Sequence, residues 1–349
     1  MRCLIALLLL ILSLHPAPAA ATLTEDSDKP EAGLKWMKDY HHDPKPQDVP
    51  ALIRKLSKQG AFDEPQKSGV YVGFLAGVLR ENPEEAVQLA ADCLPLPFKD
   101  QWLVVRAIAY SGLDNWKQVM IDFAPNLPER KHLMRYYIAG KLPTLEQVPF
   151  TPPKASTLDK VRRAFRWETY FGPEKAKPVR ISYATHPELI DVQWGLYFAT
   201  GEDMPIAWIA ALLPWSEERD SLDKLTAGGM AKFTLAVNAS RDPDLLTALR
   251  RIQPHQRETV RRILTEVIIA AETADTARLR EDVVGAIDEL RQKGPGSRRA
   301  AAWWAEMGQV ALSLGCVGAS AVGQVALGVP CVVGGALSSA ALRYLGSGS

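Results

Sequence analysis

Apolar and polar positions alternate along this chain with a helical period almost throughout. Within residues 83–94 the apolar side chains Val87, Ala90, Ala91 and Leu94 fall three and four apart. Ile206, Ile209, Ala210 and Leu213 do the same further along, which places one buried stripe on each segment. A two-residue alternation is missing apart from a weak extended stretch at residues 179–183. The pattern predicts an all-α fold.

The helical segments recur as a unit: an apolar helix, a short break carrying Asp, Asn, Gly or Pro, and a second helix stopped by proline. The first helices are predicted over residues 71–82, 102–113, 192–200 and 230–239. Their second helices run from Pro83 to Pro95, Asp114 to Pro125, Asp203 to Pro214 and Asp242 to Pro254, eleven or twelve residues from restart to stop. Asp or Asn at the restart caps free N–H groups, and Pro83 or Pro243 fits a first helical turn without losing a bond. A hairpin with one greasy face needs a neighbour. Units of this kind at intervals of 30 to 40 residues (Pro95 to Pro125, Pro214 to Pro254) predict degenerate αα-hairpin repeats, solenoid-like or superhelical. The Trp, Gly and Tyr signature of tetratricopeptide repeats does not occur at its spacing, so the likeness to such arrays is one of architecture alone.

Proline and glycine divide the array. Pro143, Pro149, Pro152 and Pro153 make residues 143–156 a connector between array 1 (51–142) and array 2 (157–293), and Gly294-Pro295-Gly296-Ser297 separates the body from a tail, 294–349. Residues 22–50 are polar and charged and are expected to be poorly ordered.

The two ends carry the address. Met1 and Arg2, the apolar run 4–14 and Ala19-Ala20-Ala21 form a secretion signal spanning residues 1–21. Eleven residues make about 16 Å of helix against the ~30 Å of a bilayer core, so the run reads as a cleaved signal and not an anchor. At the other end, residues 307–342 contain no charged side chain. Ala311, Gly315, Ala319 and Gly323 repeat every four residues, a small-residue face for close helix packing, with Trp303 and Trp304 before it and Tyr344 after it at positions suited to a membrane interface. Pro330 breaks the run, which predicts a hydrophobic helical hairpin in contact with a membrane or buried in the protein.

Charge and cysteine narrow the class. Without the signal, 40 Lys and Arg face 40 Asp and Glu, a balance that disfavours nucleic acid as a partner. Cys93, Cys316 and Cys331 are an odd number at wide spacing, neither a disulfide framework nor a zinc pattern; small buried side chains are expected, with a Cys316 to Cys331 pair as the alternative.

Candidate chemistry is sparse. His41-His42-Asp43 has ligand residue types but no second pair to join them, and reads as a solvated turn. Ser221 and Lys224 match the spacing of penicillin-interacting serine enzymes without the accompanying Lys-Thr-Gly, so Ser221 reads as a helix cap. Glu84-Glu85 and Glu217-Glu218 read as first-turn acids offsetting helix dipoles. Asn238-Ala239-Ser240 is a chance glycosylation triplet, and Trp194, Tyr197, Phe198, Trp208 and Trp215 are read as core. Two basic stretches, Arg162, Arg163 and Arg166 among aromatics, and Arg257 and Arg261 near His255, are candidates for an anionic headgroup or an acidic partner. No catalytic residue, metal ligand or cofactor is assigned. The sequence thus predicts an exported scaffold, periplasmic or envelope-associated, that binds a protein or peptide partner. A cell-envelope enzyme with its site in a helical cleft and a membrane-inserting effector using the tail are the alternatives.

Overall fold

A computed structural model describes residues 30–151 and 181–273, together with Gly285. Its described part is all-helical, with twelve α-helices and no strand. In chain order these are α1 (Pro30–Asp39), α2 (Val49–Lys58), α3 (Gly69–Glu81), α4 (Ala86–Asp92), α5 (Trp102–Tyr110), α6 (Trp116–Phe123), α7 (Lys131–Ile138), α8 (Glu188–Thr200), α9 (Asp203–Ala210), α10 (Leu222–Ala239), α11 (Pro243–Ile252) and α12 (Glu258–Glu272).

The four predicted hairpins correspond to α3 with α4, α5 with α6, α8 with α9, and α10 with α11, and the two helices of each pair touch. The restarts work by different means. Asp242 caps α11 as expected, accepting from the Asp244 and Leu245 N–H groups at 3.0 and 3.1 Å. Asn82 instead donates back to the Val78 carbonyl at 2.8 Å and closes α3, while Asn115 makes no side-chain cap. Asp203 lies inside α9 and faces Arg251. At the α8 to α9 turn the decisive residue is Gly201, whose φ of 67° is left-handed and whose N–H reaches the Tyr197 carbonyl at 2.7 Å.

The centre is a parallel pair, α3 against α8. Gly69 meets the backbone of Glu188, Gly73 that of Val192, and Gly77 the Ala199 side chain, so both helices run the same way. A Cβ on Gly73 would stand 1.9 Å from the Val192 carbonyl oxygen, and one on Gly195 would stand 2.1 Å from that of Val70. Only glycine lets the backbones approach this closely. Nearly every residue of α3 and of α8, both first helices of their hairpins, is buried, because each is covered on all sides. The close-packing face that the sequence suggests for residues 311–323 lies outside the described residues; α3 carries the same four-residue spacing in Gly69, Gly73 and Gly77.

Around this pair the helices form rows. On one side α5 packs on α3 and α7 on α5, with α2, α4 and α6 packed in succession; on the other, α9, α10, α11 and α12 pack against one another below α8. Trp194 of α8 donates to Thr234 of α10 at 3.2 Å. The expected disorder of 22–50 is corrected for residues 30–50: Leu34, Met37 and Tyr40 are buried, and Trp36 and Tyr40 pack edge-on against Phe74 at 6.0 and 5.0 Å. The first part of the connector is also packed, with Leu145 and Val148 buried. The described residues of the expected extended stretch, 181–183, form no strand. Residues 179 and 180 lie outside the described residues, and Tyr183 and Ala184 donate to the Pro149 and Phe150 carbonyls at 3.2 and 3.0 Å.

Candidate functional site

The structure first sorts the residues singled out by sequence. Trp303, Trp304, Ala311, Gly315, Ala319, Gly323, Tyr344, Arg162, Arg163, Arg166, Cys316 and Cys331 lie outside the described residues. Arg257 precedes α12 and Arg261 lies in its first turns, beside an open depression of about 580 Å³. That surface is charge-compensated: Arg261 pairs with Glu258, and Arg262 with Glu217 at 2.5 Å and Glu266 at 3.4 Å. His41 packs on Tyr197 and His42 stands 3.8 Å from Asp244; among the described residues no group of three His, Cys, Asp or Glu is placed to hold a metal ion. Ser221 caps α10 by accepting from the Lys224 N–H at 3.4 Å, while the Lys224 amine turns to Glu218 at 3.5 Å. Glu217 ends a 3-10 helix and Glu218 follows it, so this pair does not sit in a first α-helical turn; Glu84 and Glu85 precede α4. Asn238 is buried within α10, and Trp194, Tyr197 and Phe198 are core.

What the structure brings together is a seam between the two groups of helices. Two adjoining cavities of about 200 and 100 Å³ share Tyr110, Gly112, Leu145 and Glu146. The first opens toward α6. The second is closed by α8 and α9 through Gln193, Met204 and Trp208. Gln193 donates to the Tyr183 hydroxyl at 2.6 Å, and the Trp208 ring stacks with Phe150 at 5.3 Å and with Tyr183 at 6.2 Å. An ion pair from Arg80, at the end of α3, to Glu202, in the α8 to α9 turn, spans the seam. Met204 is 63% exposed at its rim. The second cavity therefore has an aromatic wall, Trp208 backed by Phe150 and Tyr183, with polar groups at Gln193 and Glu146.

Behind Tyr110 lies a buried polar cluster. Arg106 hydrogen-bonds Tyr137 and stacks over Trp102 at 4.9 Å, and Glu188, first residue of α8, is close enough to feel its charge. Burial pushes the Glu188 carboxyl up to about 7, against the opposing pull of its own backbone N–H and of Arg106. Burial and the same guanidinium hold His186 below its ordinary value, and its Nδ1 lies 2.8 Å from the Thr185 hydroxyl. Sequence reasoning passed over Glu188, because an acid in the first turn after a proline looks like any dipole-compensating residue. Arg106 left a better signal: it is the single charge in the otherwise apolar helix WLVVRAIAY. A lone cation there needs a partner from elsewhere in the fold.

No family model, no curated protein and no solved structure matches this chain.

Proposed function

We propose that this chain is an exported scaffold of degenerate αα-hairpins that holds a protein or peptide partner at the seam between its two arrays. The observation that carries the reading is the seam itself, whose walls come from α5 and the connector on one side and from α8 and α9 on the other. Cavities of about 100 and 200 Å³ fall below the ~300 Å³ at which small-molecule pockets begin, and suit single side chains of a polypeptide. Trp208 and Met204 supply apolar contact; Glu146 and Gln193 supply polar anchors. The rows α3, α5, α7 and α2, α4, α6 support the array reading, because in each row one helix packs on the next. Export rests on the signal at residues 1–21, and envelope association on the uncharged segment 307–342. No helix among the described residues is long and apolar enough to cross a membrane.

Panning a random-peptide library on the full chain tests the seam. Selected peptides should lose on the order of tenfold or more in affinity on Trp208→Ala, as for an aromatic hot spot. Peptides indifferent to both Trp208→Ala and Glu146→Ala would defeat this reading. Cell fractionation with N-terminal sequencing tests export, where an intact N-terminus on protein in the cytosol is the adverse result.

Glu188 favours a second reading, an envelope enzyme using that carboxyl as a general acid or base, since a value of about 7 suits proton transfer near neutrality. Glu188 lines neither seam cavity, which ranks this reading second. Glu188→Gln leaving an assayed cell-wall hydrolysis intact would dismiss it.

A further inference from the structure

The exposed surface of α7 is basic and carries aromatic side chains. Lys131, His132, Arg135, Tyr136 and Ala139 are exposed and fall on one face, while Met134 and Tyr137 are buried on the other. Residues 128–141 hold four cations, Arg130, Lys131, Arg135 and Lys141, against one carboxylate, Glu129. Elsewhere Arg80, Arg250, Arg251, Arg261 and Arg262 each reach a carboxylate. Among the described residues Lys131, Arg135 and Lys141 reach none. Cations left without counter-charge along α7 and the turn after it attract an anionic partner.

The aromatic side chains say which kind. Phe98 is 56% exposed with the Arg130 guanidinium 3.8 Å from its ring centre, and Tyr136 is 36% exposed with the Lys141 ammonium 5.2 Å from its own. Each end of α7 therefore presents an exposed ring with a cation against it. Interfacial rings beside Lys and Arg match the headgroup layer of a bilayer, where the ring enters the apolar boundary and the cation stays with the phosphates. We propose that the α7 face docks on an anionic phospholipid surface, independently of the seam and of the tail.

The test uses the full chain and flotation with two vesicle types, phosphatidylcholine alone and phosphatidylcholine containing phosphatidylglycerol. The readout is the ratio of the two affinities, which cancels any charge-independent contribution of residues 307–342. A cation at an anionic surface contributes roughly fivefold in affinity, so the triple variant Lys131→Gln, Arg135→Gln, Lys141→Gln should lower the ratio on the order of a hundredfold. The variant Lys131→Arg, Arg135→Lys, Lys141→Arg should retain it, and both should melt with the parent by circular dichroism. An unchanged ratio in the Gln variant overturns the proposal. So does tighter binding to soluble polyglutamate than to anionic vesicles, lost in the same variant, which would assign the face to an acidic protein.

Discussion

Gly73→Ala tests the packing on which the fold depends. The added methyl would stand 1.9 Å from the Val192 carbonyl oxygen and 2.7 Å from its carbon, where ordinary contacts begin at 3.4 Å. Helices α3 and α8 must separate by about 1.5 Å, and gaps of that size forfeit more than half of the dispersion well for every pair across the interface. The obstacle is backbone, so no rotamer change relieves it. Overpacking costs typically ~1–3 kcal/mol; with a rigid obstacle and a fully buried interface the upper end applies, about 3 kcal/mol or more. Ala gains ~1 kcal/mol over Gly in helix propensity, which acts in the opposite direction and is outweighed. Against a total of roughly 5–15 kcal/mol this is a large loss. Urea and thermal melts followed by far-UV circular dichroism give the measurement, with Gly140→Ala as reference. Gly140 has φ of 66° and nothing within 4 Å of an added Cβ, so that variant meets only left-handed backbone strain, about 1 kcal/mol. A Gly73→Ala protein as stable as the parent, or more stable than Gly140→Ala, would refute the close parallel crossing.

Three further outcomes follow from the same geometry. Glu188 is raised from 4.5 to about 7 on folding, so the native state holds its proton more tightly than the unfolded chain. Its contribution is fully favourable below 4.5 and is lost as pH rises to about 7; at 1.36 kcal/mol per unit the loss is about 3 kcal/mol. Glu188→Gln should match the parent in acid and exceed it above neutrality. His186, held low, changes stability in the opposite sense and is common to both proteins, so parallel pH curves would contradict the burial of Glu188. Asp242→Ala should cost about 1 kcal/mol by removing the cap of α11 while Asp242→Asn keeps most of it, and equal melting of the two would deny the cap. Cys93 is buried with its thiol pushed up to about 12, so mass mapping after alkylation should find it unmodified in the folded protein and modified in urea.

Helix positions were legible because the forces that set them are local. The cap at Asp242 and the stop at Pro254 act within a few residues and lie where the prolines place them, whereas the stripe expected at Val87, Ala90, Ala91 and Leu94 is displaced by one residue: Ala86, Leu89, Ala90 and Cys93 are buried, and Val87, Ala91 and Leu94 are half-buried. The same locality misled at the N-terminus. Residues 30–42 look polar on average, yet Leu34, Met37 and Tyr40 share one face that finds cover only once α3 and α8 are assembled. Arg261 stood out by charge count, and its neutralisation by Glu258, like that of neighbouring Arg262 by Glu217 and Glu266, needed partners that counting along the chain does not rank.

By itself, then, the sequence determined that the described chain is helical and that Trp194, Tyr197 and Phe198 are core; Trp208 and Trp215, read as core with them, are half-buried, and Trp208 lines the seam. Tertiary structure decided that α3 lies on α8, that Arg106 and Glu188 share one buried cluster, and that Lys131 and Arg135 of α7 meet no carboxylate among the described residues. The physical reason is range. Capping and periodicity are settled between residues a turn or two apart, whereas a glycine contact such as Gly73 with Val192, or the desolvation that lifts Glu188, exists only after segments more than a hundred residues apart, or from different helices, have met.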